Sequence, residues 1–338
     1  MFGRMARHPG RRRALALFLL APLVGEYLLG NTAITSPFAL LLFAPMYGGG
    51  ALLIRESARR AGRAWPTIIV LAVAYALLEE GPIDMMLWNP SYGGFDIGAA
   101  YSGTYLPGLG TSLQMLQDVL SVHTVWSICV PIALVEAFDS TSPPRPWLGR
   151  TGTALVALVF TAGIALLCVF QIEGTGFVAS PAQLAWSSTA VATLTVGAFF
   201  VGRRTAPRRG TSAPCPRTVG WAAFGMTSLY WARDLLPEGF PAWLLCATWF
   251  VLVGVSVAVC VRWARGRGWG PAHRLTLAGG ALLTYVWAGF VHGLGMGTPL
   301  RFALLGSMLL GAGALWLLRS ARQTVRGAQE AEAEVSLA

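Results

Sequence analysis

Two carboxylates, Glu79 and Glu80, stand side by side at the end of an apolar run that begins at Thr67, and Gly81, Pro82 and Asp84 follow at once. Paired carboxylates can hold a cation or exchange a proton, and crowding raises the proton affinity of each. Histidine is their natural co-ligand. Two histidines lie in apolar surroundings: His123, opening "HTVWSICVPIALVE", and His292, in "FVHGLGMGTP". On this reading Glu79 and Glu80 supply the catalytic acid and base, and Glu80, His123 and His292 hold a metal. Zinc takes such ligands, can keep one position open for water, and lowers the pKa of that water enough for hydrolysis. There is no H-E-x-x-H, so three separate helices would have to assemble the site. A blander account stands beside it: a carboxylate pair near a cation, a hydrogen-bonded core histidine, and a His before Gly capping a helix end.

Helical geometry limits what these residues can share. Neighbours on an α-helix differ by about 100°, which puts Glu79 and Glu80 on different faces, with Glu79 stacked near Tyr75. Gly81-Pro82 predicts a break in the helix there. Ser127 follows His123 by four and shares its face, whereas Gln114, Gln117, Asp118 and Ser121 form a stripe roughly opposite. Stripe and histidine should therefore meet different neighbours. Glu26 is preceded by about a dozen apolar residues and needs a partner, for which Arg301 is a candidate. Glu136 lies toward the other end of its apolar stretch, Arg233-Asp234 reads as a local pair, and Glu173 reads as interfacial.

The elements that must carry these groups are membrane helices. The chain has 338 residues, 55% of them hydrophobic and only 12% charged, where a soluble domain has about 25% charged residues. Apolar stretches at about 13–30, 36–54, 66–80, 119–138, 151–172, 183–202, 218–236, 241–262, 273–292 and 299–318 predict an all-α, polytopic bundle of about ten spans. Every basic residue is arginine, and the arginines gather in alternate connections: Arg4 to Arg13, Arg55 to Arg63, Arg145 and Arg150, Arg203 to Arg217, Arg262 to Arg274, and Arg319 to Arg326. This positive-inside pattern predicts both termini in the cytoplasm and a plasma-membrane protein whose partner is the lipid bilayer. It also accounts for the net charge of +10 without nucleic acid. The apolar N-terminus reads as a retained first helix. The five cysteines show no ligand spacing, and Cys215 falls in a cytoplasmic loop.

On this topology Glu26, Glu79, Glu80, Asp84, His123, His292 and Arg301 collect on the outer side, with Glu136 at an inner end. The outer segment 81–118, rich in Gly, Tyr and Pro, is a candidate lid or re-entrant loop. The connection 203–217 reads as a mobile linker, and the tail 319–338 as frayed or a short surface helix. Shifting the sequence by 204 residues aligns Pro37 with Pro241, and Gly62-Arg63-x-Trp65 with Gly266-Arg267-x-Trp269. This predicts a parallel repeat. In that division 13–138 and 218–318 are four-span units of a single membrane domain covering 1–338, and 139–217 holds two connecting spans and the linker.

Two resemblances follow from these residues. "YGGGALLIRESARRAGRAWPTIIVLAVAYALLEEG" with "HTVWSICVPIALVEAF" resembles uncharacterised multi-pass membrane proteins of actinobacteria and related Gram-positives, which implies location but no activity. The double glutamate with a later histidine is similar to the CAAX-processing intramembrane metalloproteases. That family's Glu-Glu-x-x-x-Arg has Asp84 at the arginine position here. Its Phe-x-x-x-His has Val119 before His123, and its last His motif has Met296 after His292 where Asn or Asp is expected. The resemblance implies a metal-dependent hydrolase. The competing classes are a permease or proton-coupled transporter, favoured by Glu26 and the helix-loosening "APMYGGG", and a non-catalytic membrane subunit.

Overall fold

Each apolar stretch of the sequence folds as a helix. The computed structural model describes residues 9–139, 144–201, 211–237 and 239–337. Helix α1 (Pro9–Pro22) is prolonged by a π-helical turn, Leu23–Leu28. Helix α2 comprises Ala39–Phe43, a π turn at Ala44–Gly48 and Gly49–Arg60. Helix α3 (Trp65–Leu78) ends in a π turn, Glu79–Ile83. Helix α4 joins Leu113–Val122, a π turn at His123–Cys129 and Val130–Glu136. Then come α5 (Arg150–Thr175), α6 (Pro181–Ala198), α7 (Pro216–Trp231), α8 (Ala242–Ala264), α9 (Pro271–Gly295) and α10 (Leu300–Leu337). Proline opens α6, α7 and α9, where its missing N–H costs nothing. Ser180 and Gln183 close a reciprocal capping box at the start of α6.

Six of these rods, α3, α4, α5, α8, α9 and α10, are long and apolar enough to cross a membrane. Their burial sorts them into layers. The most apolar windows of α3 and α4 are 67% and 72% buried, whereas those of α5 and α8 are 11% and 6% buried. Helices α3 and α4 are therefore central, and α5 and α8 form a shell. The outer surface presents Phe38, Trp221, Met308 and Trp316, an apolar exterior suited to lipid rather than water. Helix α4 is the hub. One face sends Ile128 and Ile132 into a core with α1, α2 and α3. The other sends Trp126, Val130 and Leu134 into a core with α7, α9 and α10. Trp126 stacks on Tyr285, with ring centroids 4.5 Å apart, and donates from Nε1 to the Ala281 carbonyl at 2.8 Å.

The arginine-rich side is locked by a buried ion cluster. Glu136 accepts from Arg59 through both oxygens, at 2.6 and 2.8 Å, and from Arg55 Nε at 3.1 Å. Arg55, fully buried, also pairs with Glu56. It donates to the Arg145 carbonyl and lies 3.5 Å from the Trp147 ring centre. Glu56 accepts the backbone N–H groups of Trp147 and Leu148. These arginines do more than mark an orientation, because they tie α2 and α4 to the strand of chain that leads into α5. Arg4, Arg7 and Arg203 to Arg209 lie outside the described residues.

Several expectations need correction. The chain does not break at Gly81-Pro82. A π turn carries the helix on to Ile83, and the reversal comes at Met85, a buried non-glycine with φ of 56°. "APMYGGG" likewise loosens α2 into a π turn without interrupting it. The tail is not frayed but helical, the second of the two readings, and it continues α10 without a break to Leu337. The described part of the 203–217 linker is docked: Ala213 N–H donates to the Arg267 carbonyl at 2.9 Å, and His273 Nε2 lies 2.9 Å from the Pro214 carbonyl. Helix α8, which the 204-residue shift pairs with α2, has no π turn and faces outward, whereas α2 carries one and is largely buried.

Candidate functional site

The four π turns meet at one place. Each supplies a polar side chain: Glu26 from α1, Tyr47 from α2, Glu79 and Glu80 from α3, and His123 from α4. A π turn widens the helix by one residue, and such bulges concentrate at functional sites. All five residues are buried. His123 Nε2 lies 2.7 Å from Glu80 Oε1, and Nδ1 lies 3.1 Å from Glu79 Oε2, so the two adjacent glutamates bracket one imidazole. The expectation that they serve different faces is thus half right: they approach the ring from opposite edges. Ser127 Oγ is 3.2 Å from Nδ1 and fixes the ring from one turn away, as their shared face requires.

Tyr47 completes the site from α2. Its ring stacks on the His123 imidazole at 6.0 Å and 16°, and its hydroxyl donates to Glu26 Oε1 at 2.7 Å. Thr32 Oγ1 reaches the other Glu26 oxygen at 3.5 Å. The close approach that seats Tyr47 depends on glycine. A Cβ on Gly48 would lie 2.0 Å from the Phe18 carbonyl oxygen of α1, and one on Gly50 would lie 2.4 Å from the Tyr75 ring. The Tyr75 hydroxyl is a near neighbour of Glu79, yet it meets hydrogen-bond geometry with nothing.

The site is polar but under-satisfied. Both oxygens of Glu79 and Glu80 Oε2 are buried without a hydrogen-bond partner; the Glu79 Oε2 contact with Nδ1 is close but poorly aligned. A buried carboxylate oxygen left unpaired is costly, and a cation removes that cost. One donor atom each from Glu79, Glu80 and His123 lies within 4.8 Å of the others. Metal–ligand bonds near 2 Å put the ligand atoms of one ion about 3–4 Å apart, so a single ion could hold all three after a closure of about an ångström. The chemistry of the set, two carboxylate oxygens and an imidazole nitrogen, fits a divalent ion with a position to spare.

Other candidates lie elsewhere. His292 does not join the cluster: its Nε2 is engaged by Asn31 Oδ1 at 2.7 Å and its ring packs edge-on against Trp231. Arg301 does not pair with Glu26. It sits over the Phe302 ring on an exposed turn, while Tyr47 takes the role expected of it. Asp84 accepts from Tyr92 at 2.9 Å, so the position where the metalloprotease motif has arginine is a carboxylate held by the segment that follows α3. Glu136 belongs to the ion cluster at the far end of α4. Glu173 is exposed.

The polar stripe on α4 serves other partners, as its spacing requires. Gln117 donates to the Cys246 carbonyl, and Ser121 accepts from Trp249, both on α8. Asp118 pairs with Arg233 and accepts from Tyr101 and Tyr230. Arg233 therefore does more than pair locally with Asp234. The segment after α3 forms an ordered cap: a 3₁₀ turn at Tyr92–Gly94, a short helix at Ile97–Ala100, and a hairpin pairing Tyr105–Leu106 with Thr111–Ser112. Trp88 anchors it by donating to the Leu109 carbonyl and packing edge-on against Trp186.

Reading the residues alone missed Tyr47 and Thr32, whereas the four-residue spacing already set Tyr75 beside Glu79. A tyrosine between Pro45 and three glycines in an otherwise apolar stretch was the available signal.

No curated protein matches the chain, and no solved structure does either. A family model described as an uncharacterized membrane protein family matches residues 15–322, and the chain belongs to that family.

Proposed function

We propose that this multi-pass membrane protein is an intramembrane metal-dependent hydrolase whose site is the Glu79–Glu80–His123 cluster. The observation that carries the proposal is the set of three buried carboxylate oxygens without partners beside an imidazole, all within reach of one ion. Glu79, Glu80 and His123 would hold the ion, with zinc the best-suited metal. A bound divalent ion would supply an activated water for hydrolysis. Glu79, whose oxygens lie beside Tyr47, Tyr75 and His123 without a well-aligned hydrogen bond, would double as the acid–base group. Ser127 orients the imidazole, and Tyr47 covers its face while Glu26 holds the Tyr47 hydroxyl. Ten spans, both termini in the cytoplasm and a plasma-membrane location complete the reading. It places the site toward the outer side, under the capping segment that follows α3. The site geometry supports this reading independently of the motif likeness, which departs at Asp84 and Met296.

Metal analysis of the purified protein tests it, with Glu80→Gln and His123→Ala alongside. The expected result is about one divalent ion per chain in the wild type, lost in Glu80→Gln and His123→Ala and weakened in Glu79→Gln. Wild-type protein that takes up no stoichiometric metal from zinc-supplemented buffer ends the proposal.

One observation favours a second reading. The imidazole is bracketed at both nitrogens by carboxylates, and the neighbouring Tyr47–Glu26–Thr32 contacts extend the polar set toward the end of α1. This is the form of a proton relay in a coupled permease. Metal-free protein whose proteoliposomes carry a proton flux that His123→Ala abolishes would select it.

A further inference from the structure

A groove of about 590 Å³ opens between α9 and α10, lined by Leu283, Leu315 and Leu318 below and by Arg319, Arg322 and Arg326 above. The contacts of Leu318 with Gly279 and of Val286 with Gly311 fix the antiparallel register of the two helices. That register sets Arg322 level with Leu275 and Arg326 level with Pro271, where α9 begins. Leu300 to Arg319 spans about 29 Å of helix, close to the hydrocarbon thickness, so the arginines stand at headgroup depth. Helix α10 continues roughly 16 Å beyond Arg326 to Leu337, into the polar phase.

The charges here are uncompensated. All three arginines are exposed, and Arg319 and Arg322 make no ion pair among the described residues. Arg326 pairs only with Glu330, 3.3 Å away on an open helix face, a contact worth little. None of the residues lining the groove is acidic. The lower wall is apolar and continuous with the outward-facing Leu315 and Trp316. We infer that this groove binds an anionic phospholipid, with its phosphate held by Arg319 and Arg322 and an acyl chain laid along Leu283, Leu315 and Leu318. Guanidinium groups match phosphate oxygens in pairs, and basic pockets between membrane helices at this depth select charged headgroups. A free phosphate would use the arginines but leave the leucine wall empty, which is why the occupant is a lipid.

The test is thermal unfolding of the full-length protein in neutral detergent, titrated with phosphatidylglycerol, with phosphatidylcholine or with inorganic phosphate. Phosphatidylglycerol should raise the melting temperature saturably, and the other two should not. The double variant Arg319→Gln/Arg322→Gln should weaken the apparent affinity about thirtyfold, at roughly fivefold per guanidinium. Arg262→Gln/Arg265→Gln, at the end of α8, should leave it unchanged. An equal response to phosphatidylcholine, a response to inorganic phosphate alone, or an equal loss in the α8 variant would overturn the assignment.

Discussion

Replacing Gly48 with alanine should dismantle the site from a distance. The new Cβ would lie 2.0 Å from the Phe18 carbonyl oxygen and 2.6 Å from the Phe18 Cα, both backbone atoms of a packed helix. A carbon–oxygen contact relaxes at about 3.3 Å, so α1 and α2 must separate by roughly 1.3 Å. Taken along the Tyr47–Glu26 hydrogen bond, that displacement lengthens 2.7 Å to about 4 Å and breaks it. Overpacking costs about 1–3 kcal/mol and the lost hydrogen bond about 1 kcal/mol, for a total of roughly 2–4 kcal/mol. In a chain of this size that lowers the melting temperature by about 3–6 °C. Gly254→Ala is the control: its Cβ would meet nothing on the outer face of α8, so alanine there should be neutral or stabilising by up to about 1 kcal/mol. The assay is thermal unfolding of both variants in one detergent, followed by zinc titration. If Gly48→Ala melts with Gly254→Ala and binds zinc like the wild type, the close approach of α1 and α2 does not seat Tyr47.

Other outcomes follow from other parts of the bundle. Cys215 is the exposed thiol among the described cysteines, and hydrogen bonding from the Thr218 hydroxyl lowers its pKa below the usual thiol value. A membrane-impermeant maleimide should therefore label it readily at neutral pH in inverted vesicles and not in intact cells; the reverse result would overturn the cytoplasmic placement of the α6–α7 connection. Glu136→Ala strands Arg59 in a buried setting, leaves Arg55 with Glu56 as its close carboxylate, and should cost about 3–5 kcal/mol, read by unfolding. The double change Arg59→Met/Glu136→Met should cost less than Glu136→Ala alone, because it removes an unpaired charge along with the pair. Asp118→Asn weakens a charge-assisted contact with Arg233 and the hold on Tyr101, worth about 1.5–3 kcal/mol. Limited proteolysis should then cut the segment between α3 and α4 faster than in the wild type, while α5 and α8 stay protected.

The helices were legible because lipid demands long apolar stretches, and every such stretch in the sequence became a rod. The separation of the α4 stripe from His123 was legible too, since helical spacing alone decides which residues share a face. The π turns were not. Gly81-Pro82 and Pro45 with Gly48–Gly50 carry the sequence signs of helix breaks, and nothing local distinguishes a break from a widened turn. The decision belongs to the neighbours, which supply packing on all sides and keep the helix going. His292 and Arg301 were misassigned for a related reason. Residues at helix ends are easily assigned one depth, and depth says nothing about azimuth: by that rule His292 groups with the carboxylates, but it faces Trp231 and Asn31. The arginines at α2 were read only as topology markers because a charge census cannot tell a solvated guanidinium from the fully buried Arg55.

The convergence of π turns also explains how adjacent glutamates come to share one histidine. In a regular α-helix, side chains about 100° apart diverge from a common target. Widening α3 at Glu79–Ile83 and α4 at His123–Cys129 brings an imidazole between the two carboxylates, with one nitrogen toward each. The same turn in α2 delivers Tyr47 over the ring face, and the one in α1 places Glu26 behind the Tyr47 hydroxyl. A π turn costs helical hydrogen-bond geometry and is rare. Core packing by itself gives no reason for four adjacent helices to carry one at the level of the same five side chains. The apolar cores on either side of α4 are filled by ordinary leucine, isoleucine and tryptophan contacts that regular helices make equally well. What the π turns accomplish together is to aim three ionisable groups at one another in an apolar interior and leave carboxylate oxygens without partners. Burial of such oxygens carries a desolvation cost that a bound cation would remove.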